Sequence, residues 1–197
     1  LLPLAEALSE ARRLVIQNTL NKVRDNLGLL KLNKTELGYA LNNTGVFTEN
    51  GCDTLELLIK VNVGSSFVRL SELSGGETSR IMLAIKAVLA ETSTTGTYVF
   101  DEIDSGVSGD IAFKVRELMS RMSKNRQLIV ITHLPIVAVK SDNLFKIIKE
   151  FSNENTIIKV EKYESYEEIL DQLSILVTDR SSKEADAYVR SLARKHY

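Results

Sequence analysis

Cysteine is almost missing from this chain: Cys52 is the only one among 197 residues. A lone thiol cannot staple a fold, so nothing here points to an oxidising compartment. No apolar run reaches the roughly 18 residues needed to cross a bilayer, and no secretory leader pattern is present. Charge of one sign is lacking too: 25 Lys and Arg against 26 Asp and Glu leave a net charge of -1. That excludes a polycation that coats nucleic acid along its whole length, so any DNA contact has to come from a local patch. Histidine and cysteine are too sparse for a zinc cluster, and no G-x-S-x-G elbow frames a serine nucleophile. No internal repeat or low-complexity linker divides the sequence. The most consequential absence is the G-x-x-x-x-G-K-[ST] loop, the backbone cradle for nucleotide phosphates, which occurs nowhere in the chain.

What is present supports a proper core: 44% of residues are hydrophobic and 26% charged. The chain opens Leu-Leu-Pro-Leu, without an initiator Met, directly into helical periodicity. It reads as a segment of a longer protein. Leu4, Leu8, Ala11 and Val15 form one apolar seam, and Ile16, Leu20, Val23, Leu27 and Leu30 a second, shifted one. A coiled coil meeting a globular head gives such a shift, and so does an ordinary amphipathic helix. Residues 35–70 read as strands, with Thr54–Val61 the clearest and Asn50-Gly51 a turn before it. A buried helix is predicted over 77–91, a strand over 97–101, a helix over 108–122 and a strand over 127–132. Continuous Val/Ile runs separated by helices point to parallel strands covered on both faces. A short helix after Pro135, a hairpin around Ser152–Asn155 and two helices, about 165–176 and 182–195, complete the pattern. The partition is residues 1–30 as an entry helix and 31–197 as one α/β domain.

Two stretches carry chemistry. Ser74-Gly75-Gly76-Glu77 opens the helix over 77–91. Free N–H groups at a helix start, glycines that let an anion approach, and a serine hydroxyl together suit a phosphate. A plain junction, with Ser74 as N-cap and Glu77 closing a capping box, explains the same residues. The strand over 97–101 ends in Asp101-Glu102, with Asp104 as a third nearby acid. A carboxylate at the end of a buried strand lies where α/β sheets bind ligands. Asp101 suits Mg²⁺ held partly through water, and Glu102 suits a general base for an attacking water. His133 follows the next apolar strand directly, at the same sheet edge, where its imidazole can bond a phosphate oxygen or orient water. Ser105, Gly106 and Ser108 form a flexible entry to the next helix, while His196 and the basic closing stretch read as a solvated helix face.

In this order these motifs resemble the C-terminal half of the ATPase head of SMC-like ABC proteins. In those proteins a coiled coil splits the head into two sequence-distant lobes. Leu73 to Lys86, Phe100 to Gly109 and Ile131 to Pro135 look most like the RecN family of bacterial DNA repair proteins. The likeness is strongest over 72–138. It implies an α/β head lobe with a mostly parallel sheet, entered through a coiled-coil-base helix at 1–30. It also implies ATP and Mg²⁺ as cofactors, with Ser74, Gly75, Gly76 and Glu77 as a signature motif facing ATP on a second head. Asp101 then acts through Mg²⁺, Glu102 is the catalytic base and His133 the switch histidine. Ser105, Gly106 and Ser108 form the D-loop; many ABC proteins have Asp where Ser108 stands.

The implied partners are an N-terminal lobe with the missing phosphate loop, a second head, and DNA, in the bacterial cytoplasm near the nucleoid and away from membranes. The implied activity is ATP hydrolysis coupled to double-strand break repair, absent from this chain alone. Arg12, Arg13, Lys22 and Arg24 are candidate DNA neighbours. The competing reading is a non-catalytic dimerisation module with an ABC-like fold, against which the Asp101-Glu102 pair stands.

Overall fold

A computed structural model describes residues 1–101, 104, 107, 109–151, 156–178 and 182–194. Helix α1 (Leu2–Leu29) enters a three-stranded antiparallel sheet, β1 (Glu36–Thr48), β2 (Gly51–Lys60) and β3 (Val68–Arg69). A 3-10 turn (Leu70–Glu72) leads into α2 (Gly75–Thr92). Next come β4 (Thr97–Asp101), α3 (Asp110–Ser123), β5 (Gln127–Ile131) and the single turn α4 (Pro135–Ala138). The hairpin β6 (Phe145–Phe151) and β7 (Thr156–Lys162) precedes helices α5 (Tyr166–Thr178) and α6 (Lys183–Arg194). Parallel pairing among the described residues is confined to β4–β5; the other strands pair antiparallel.

The two seams of α1 part company. Leu20, Val23 and Leu27 are buried in the main core with Leu30, and Ile16 packs against it. Leu4 and Val15, from the first seam, stand largely in solvent. The first half of α1 is fastened instead by polar groups. Ser9 Oγ donates to Asp53 Oδ2 at 2.5 Å, and Arg12 Nη1 reaches the same oxygen at 3.3 Å. Arg12 Nη2 also donates to the Asn50 carbonyl at 2.6 Å. Gly51 sits under the helix at φ 84°, where an added Cβ would lie 2.9 Å from Leu8 Cδ2. Glycine is favoured there for its backbone angle, while the Leu8 methyl could move aside for a Cβ.

Helix α1 ends in a left-handed residue that is not glycine. Lys31 has φ 59°. Its N–H bonds to the Gly28 carbonyl at 3.2 Å, and the Leu32 N–H bonds to the Leu27 carbonyl at 2.9 Å. This is the Schellman arrangement, closed by apolar Leu32 and Leu27, both buried. Neither Gly28 nor Asn33, residue types that often end helices, takes the left-handed place.

Helices cover only one face of β4–β5. Phe100 is buried, and Leu128 and Val130 pack on the core. The alternate residues Val99, Ile129 and Ile131 are 55%, 48% and 55% exposed. The continuous apolar runs fit a strand covered on both faces, but among the described residues one face is covered. The β6–β7 hairpin is largely exposed on both faces. One carries Phe145, Ile147, Phe151, Ile158 and Val160 with Lys149 and Lys162, and the other Lys146, Glu150, Lys159 and Glu161 with Ile148 and Ile157.

Candidate functional site

Parallel register brings the ends of β4 and β5 level, with Asp101 opposite Ile131. Asp101 is therefore at the strand edge from which Thr132 and His133 continue. Its side chain is exposed and makes no hydrogen bond or ion pair among the described residues. Glu102, Ser105, Gly106 and Ser108 lie outside the described residues.

The acid that organises this edge is Asp104, which is 1% exposed. Its Oδ2 accepts the His133 backbone N–H at 2.9 Å and also the Thr132 hydroxyl. Thr132 Oγ1 in turn accepts the Leu134 N–H at 3.0 Å. Asp104 Oδ1 lies 3.3 Å from His133 Nδ1. That contact is not aligned as a hydrogen bond, and Oδ1 is otherwise buried without a partner. The imidazole itself projects outward, with the His133 side chain 70% exposed. A buried carboxylate thus grips the β5–α4 turn and faces the inner nitrogen of an outward imidazole. From sequence alone Asp104 reads only as a third acid. Its partnership with residues 132–133 depends on β4 and β5 being parallel neighbours in this register. The available signal was the pair Thr132-His133 placed directly after a strand.

Ser74 to Glu77 occupy the start of α2, as the sequence indicates. The expected capping box is not formed. Ser74 Oγ donates to Glu77 Oε2 at 2.7 Å, and no side chain caps a backbone N–H of the first turn. The Ser74 carbonyl holds the turn by accepting from the Thr78 N–H and hydroxyl, each at 2.9 Å. A Cβ placed on Gly75 would meet nothing within 4 Å, so packing within this chain does not require glycine there.

The structure brings together Asp101, Asp104, Thr132 and His133. Among the described residues, no hydrogen bond or ion pair joins them to Ser74, Gly75, Gly76 or Glu77. Helix α2 is tied to β4 further along, where Lys86 Nζ sits 4.9 Å from the centroid of the Phe100 ring. Ser74 is about 18 Å of helix rise away from Lys86.

The donor set fits Mg²⁺ and not a protein-built metal cage. Among the described residues no group of three or more His, Cys, Asp or Glu could enclose a metal ion. A single free carboxylate at Asp101 matches an ion that keeps several waters and takes its remaining oxygens from phosphate. The proposed DNA neighbours are engaged within the chain: Arg12 with Asp53, Arg13 with Glu10, Lys22 with Glu91 and Arg24 with Asn21. No described helix is long and apolar enough to cross a membrane.

No family model matches the chain. Among curated proteins it is similar to the DNA repair protein RecN of Streptomyces coelicolor, at 30% identity over 96% of this chain and 35% of that protein. It is 38% identical to RecN of Bacillus subtilis over 63% of this chain and 22% of that protein. For Deinococcus radiodurans RecN the values are 29%, 98% and 34%. The chain therefore spans about a third or less of the length of these relatives.

Among solved structures it matches a chain from work on ATP-driven dimerization and DNA-stimulated activation of SMC ATPases. That match has TM-score 0.58 and 20% identity over 87% of this chain and 99% of that one. It also matches the Smc head domain with a coiled coil and joint from Pyrococcus yayanosii, at TM-score 0.61 and 22% identity over 80% of this chain and 29% of that one. The chain is thus RecN-like in sequence over most of its length, and it has the fold of an SMC head domain.

Proposed function

We propose that this lobe carries the phosphate-sensing and hydrolytic side chains of a RecN-like ATPase. In this reading ATP-driven engagement of two heads is coupled to DNA binding in double-strand break repair. The observation that carries it is the shared edge of β4 and β5. There an unpaired Asp101 carboxylate stands beside a turn that projects His133 outward. Bound Mg²⁺ supplies charge neutralisation of the phosphates. Asp101 holds it, partly through water, and Glu102 serves as the general base for the attacking water. His133 contacts the terminal phosphate. Ser74, Gly75, Gly76 and Glu77 receive the phosphate of ATP bound mainly to the opposite head. Ser105, Gly106 and Ser108 form the head–head D-loop.

An N-terminal lobe supplies the lysine-bearing phosphate loop. The open apolar faces of β4–β5 and β6–β7 support such a partner, since strands of this composition are suited to burial. Residues 1–30 are the base of a coiled-coil arm and 31–197 the head lobe. The complete protein works in the bacterial cytoplasm, next to the nucleoid.

The test uses the full-length protein and this chain side by side. The chain alone shows no ATP turnover, and addition of the N-terminal lobe restores it. Glu102→Gln in the full-length protein stops hydrolysis while ATP-bound heads stay associated in sedimentation. Robust turnover by the chain alone, or unchanged turnover by Glu102→Gln, rules the reading out.

A further inference from the structure

We infer that Asp104 is the positioning residue for His133: it fixes the imidazole through Nδ1 and leaves Nε2 as the nitrogen that meets substrate. The inference rests on the ATPase reading of His133 and adds a residue to it.

Three observations converge. The carboxylate is 1% exposed, on the far side of the imidazole from solvent. One oxygen is committed to the turn itself, through the His133 N–H at 2.9 Å and the Thr132 hydroxyl. The other is buried, unpartnered and 3.3 Å from Nδ1. A carboxylate accepts and cannot donate, so the imidazole nitrogen facing it has to carry the proton. Nε2 is then the unprotonated nitrogen of an imidazole that is 70% exposed. An imidazole that is 70% exposed has room for the small rotation that turns the 3.3 Å contact into a hydrogen bond. Such contacts tighten when substrate arrives. A carboxylate that sets a histidine's tautomer and orientation without touching substrate is a known way to control a catalytic imidazole.

Asp104→Asn is the informative change, because it keeps size and shape. Its amide oxygen can still take the His133 N–H, but its NH₂ then faces Nδ1 and forces the proton onto Nε2. In the full-length protein we expect kcat for ATP to fall on the order of 10- to 100-fold, with KM unchanged. His133→Ala should cost a similar factor, and Asp104→Asn in that background nothing further. In ¹⁵N NMR of the histidine ring, His133 should move from the Nδ1–H to the Nε2–H tautomer in Asp104→Asn. Normal kcat in Asp104→Asn, losses that multiply in the double variant, or an unchanged tautomer each overturn the inference. If His133→Ala itself turns over normally, the ATPase role of His133 fails, and the NMR tautomer still decides the Asp104–His133 link.

Discussion

Lys86 holds its ammonium 4.9 Å from the centre of the Phe100 ring, joining the helix headed by Ser74 to the strand that ends in Asp101. The lysine stem follows apolar surface and the charge meets the negative face of the ring. Lys86→Met keeps the stem and loses the charge, so it should cost about 0.5–1 kcal/mol in urea unfolding. Phe100 is 3% exposed, and Phe100→Ala should cost about 3–5 kcal/mol through the cavity it leaves. If the two variants are equally destabilised, the ring is not the anchor described.

Lys31 is strained by its left-handed backbone, φ 59°. A non-glycine residue there costs roughly 1–2 kcal/mol, against somewhat less for the extra unfolded-state freedom of glycine. Its salt bridge to Asp110, 2.9 Å long, is exposed on both sides and adds little. Lys31→Gly should therefore raise the melting temperature slightly. A fall in melting temperature would mean that the salt bridge outweighs the backbone. The ammonium of Lys31 holds the Asp110 carboxyl below its ordinary range. A lowered carboxylate favours the fold above its unfolded pKa and loses that contribution as pH falls through the folded value. The small stability gap between Lys31→Gly and the parent should thus shift toward the variant below about pH 4.

Tyr163 keeps its hydroxyl buried without a partner. Burial, with Glu161 and Glu168 nearby, pushes its pKa above the usual tyrosine value. For a raised group the stability is complete below the unfolded pKa, about 10, and drains away as pH climbs through the folded value. Tyr163→Phe removes both the orphan hydroxyl and the titration. Its stability at pH 7 should equal or exceed the parent by about 1 kcal/mol, and its alkaline unfolding should begin at higher pH. A less stable Tyr163→Phe would show that the hydroxyl has a partner after all.

Neighbouring strand positions should answer differently to the same chemistry. Ile129 faces outward and is 48% exposed, whereas Val130 packs on the core. Ile129→Thr keeps a β-branched residue and should stay within about 0.5 kcal/mol of the parent in this chain. Val130→Thr places a hydroxyl against apolar neighbours and should cost about 1–3 kcal/mol. Equal losses at both positions would mean that the open face is covered in solution, and light scattering would then reveal self-association.

Much of the fold was legible because its signals are local. The strand Thr97–Asp101, the turn of helix after Pro135 and the hairpin flanking 152–155 follow from runs, breakers and alternation. The places where reading failed depend on partners distant in sequence. Nothing near Lys31 announces that it takes the left-handed place, because the buried Leu32–Leu27 contact dictates it. Nor does Ser74 look any different from a capping serine until its hydroxyl is seen to lie against Glu77 and not against the first-turn N–H groups. Asp104 is legible as a carboxylate, but its grip on residues 132 and 133 arises only when β4 and β5 lie side by side. The same holds for the second face of β4–β5. A run of Val and Ile records that burial is intended, without saying which segment provides it.

Ser9 and Arg12 both bind Asp53, so the opening turns of α1 are held to β2 by polar groups and not by a seam of apolar side chains. Glu56 on the same strand pairs with Arg69, and the Arg69 N–H is held by Glu72 at 3.2 Å, two residues before Ser74. Loss of the Asp53 carboxylate would free the opening turns, while Leu20, Val23 and Leu27 keep the rest of the helix on the core.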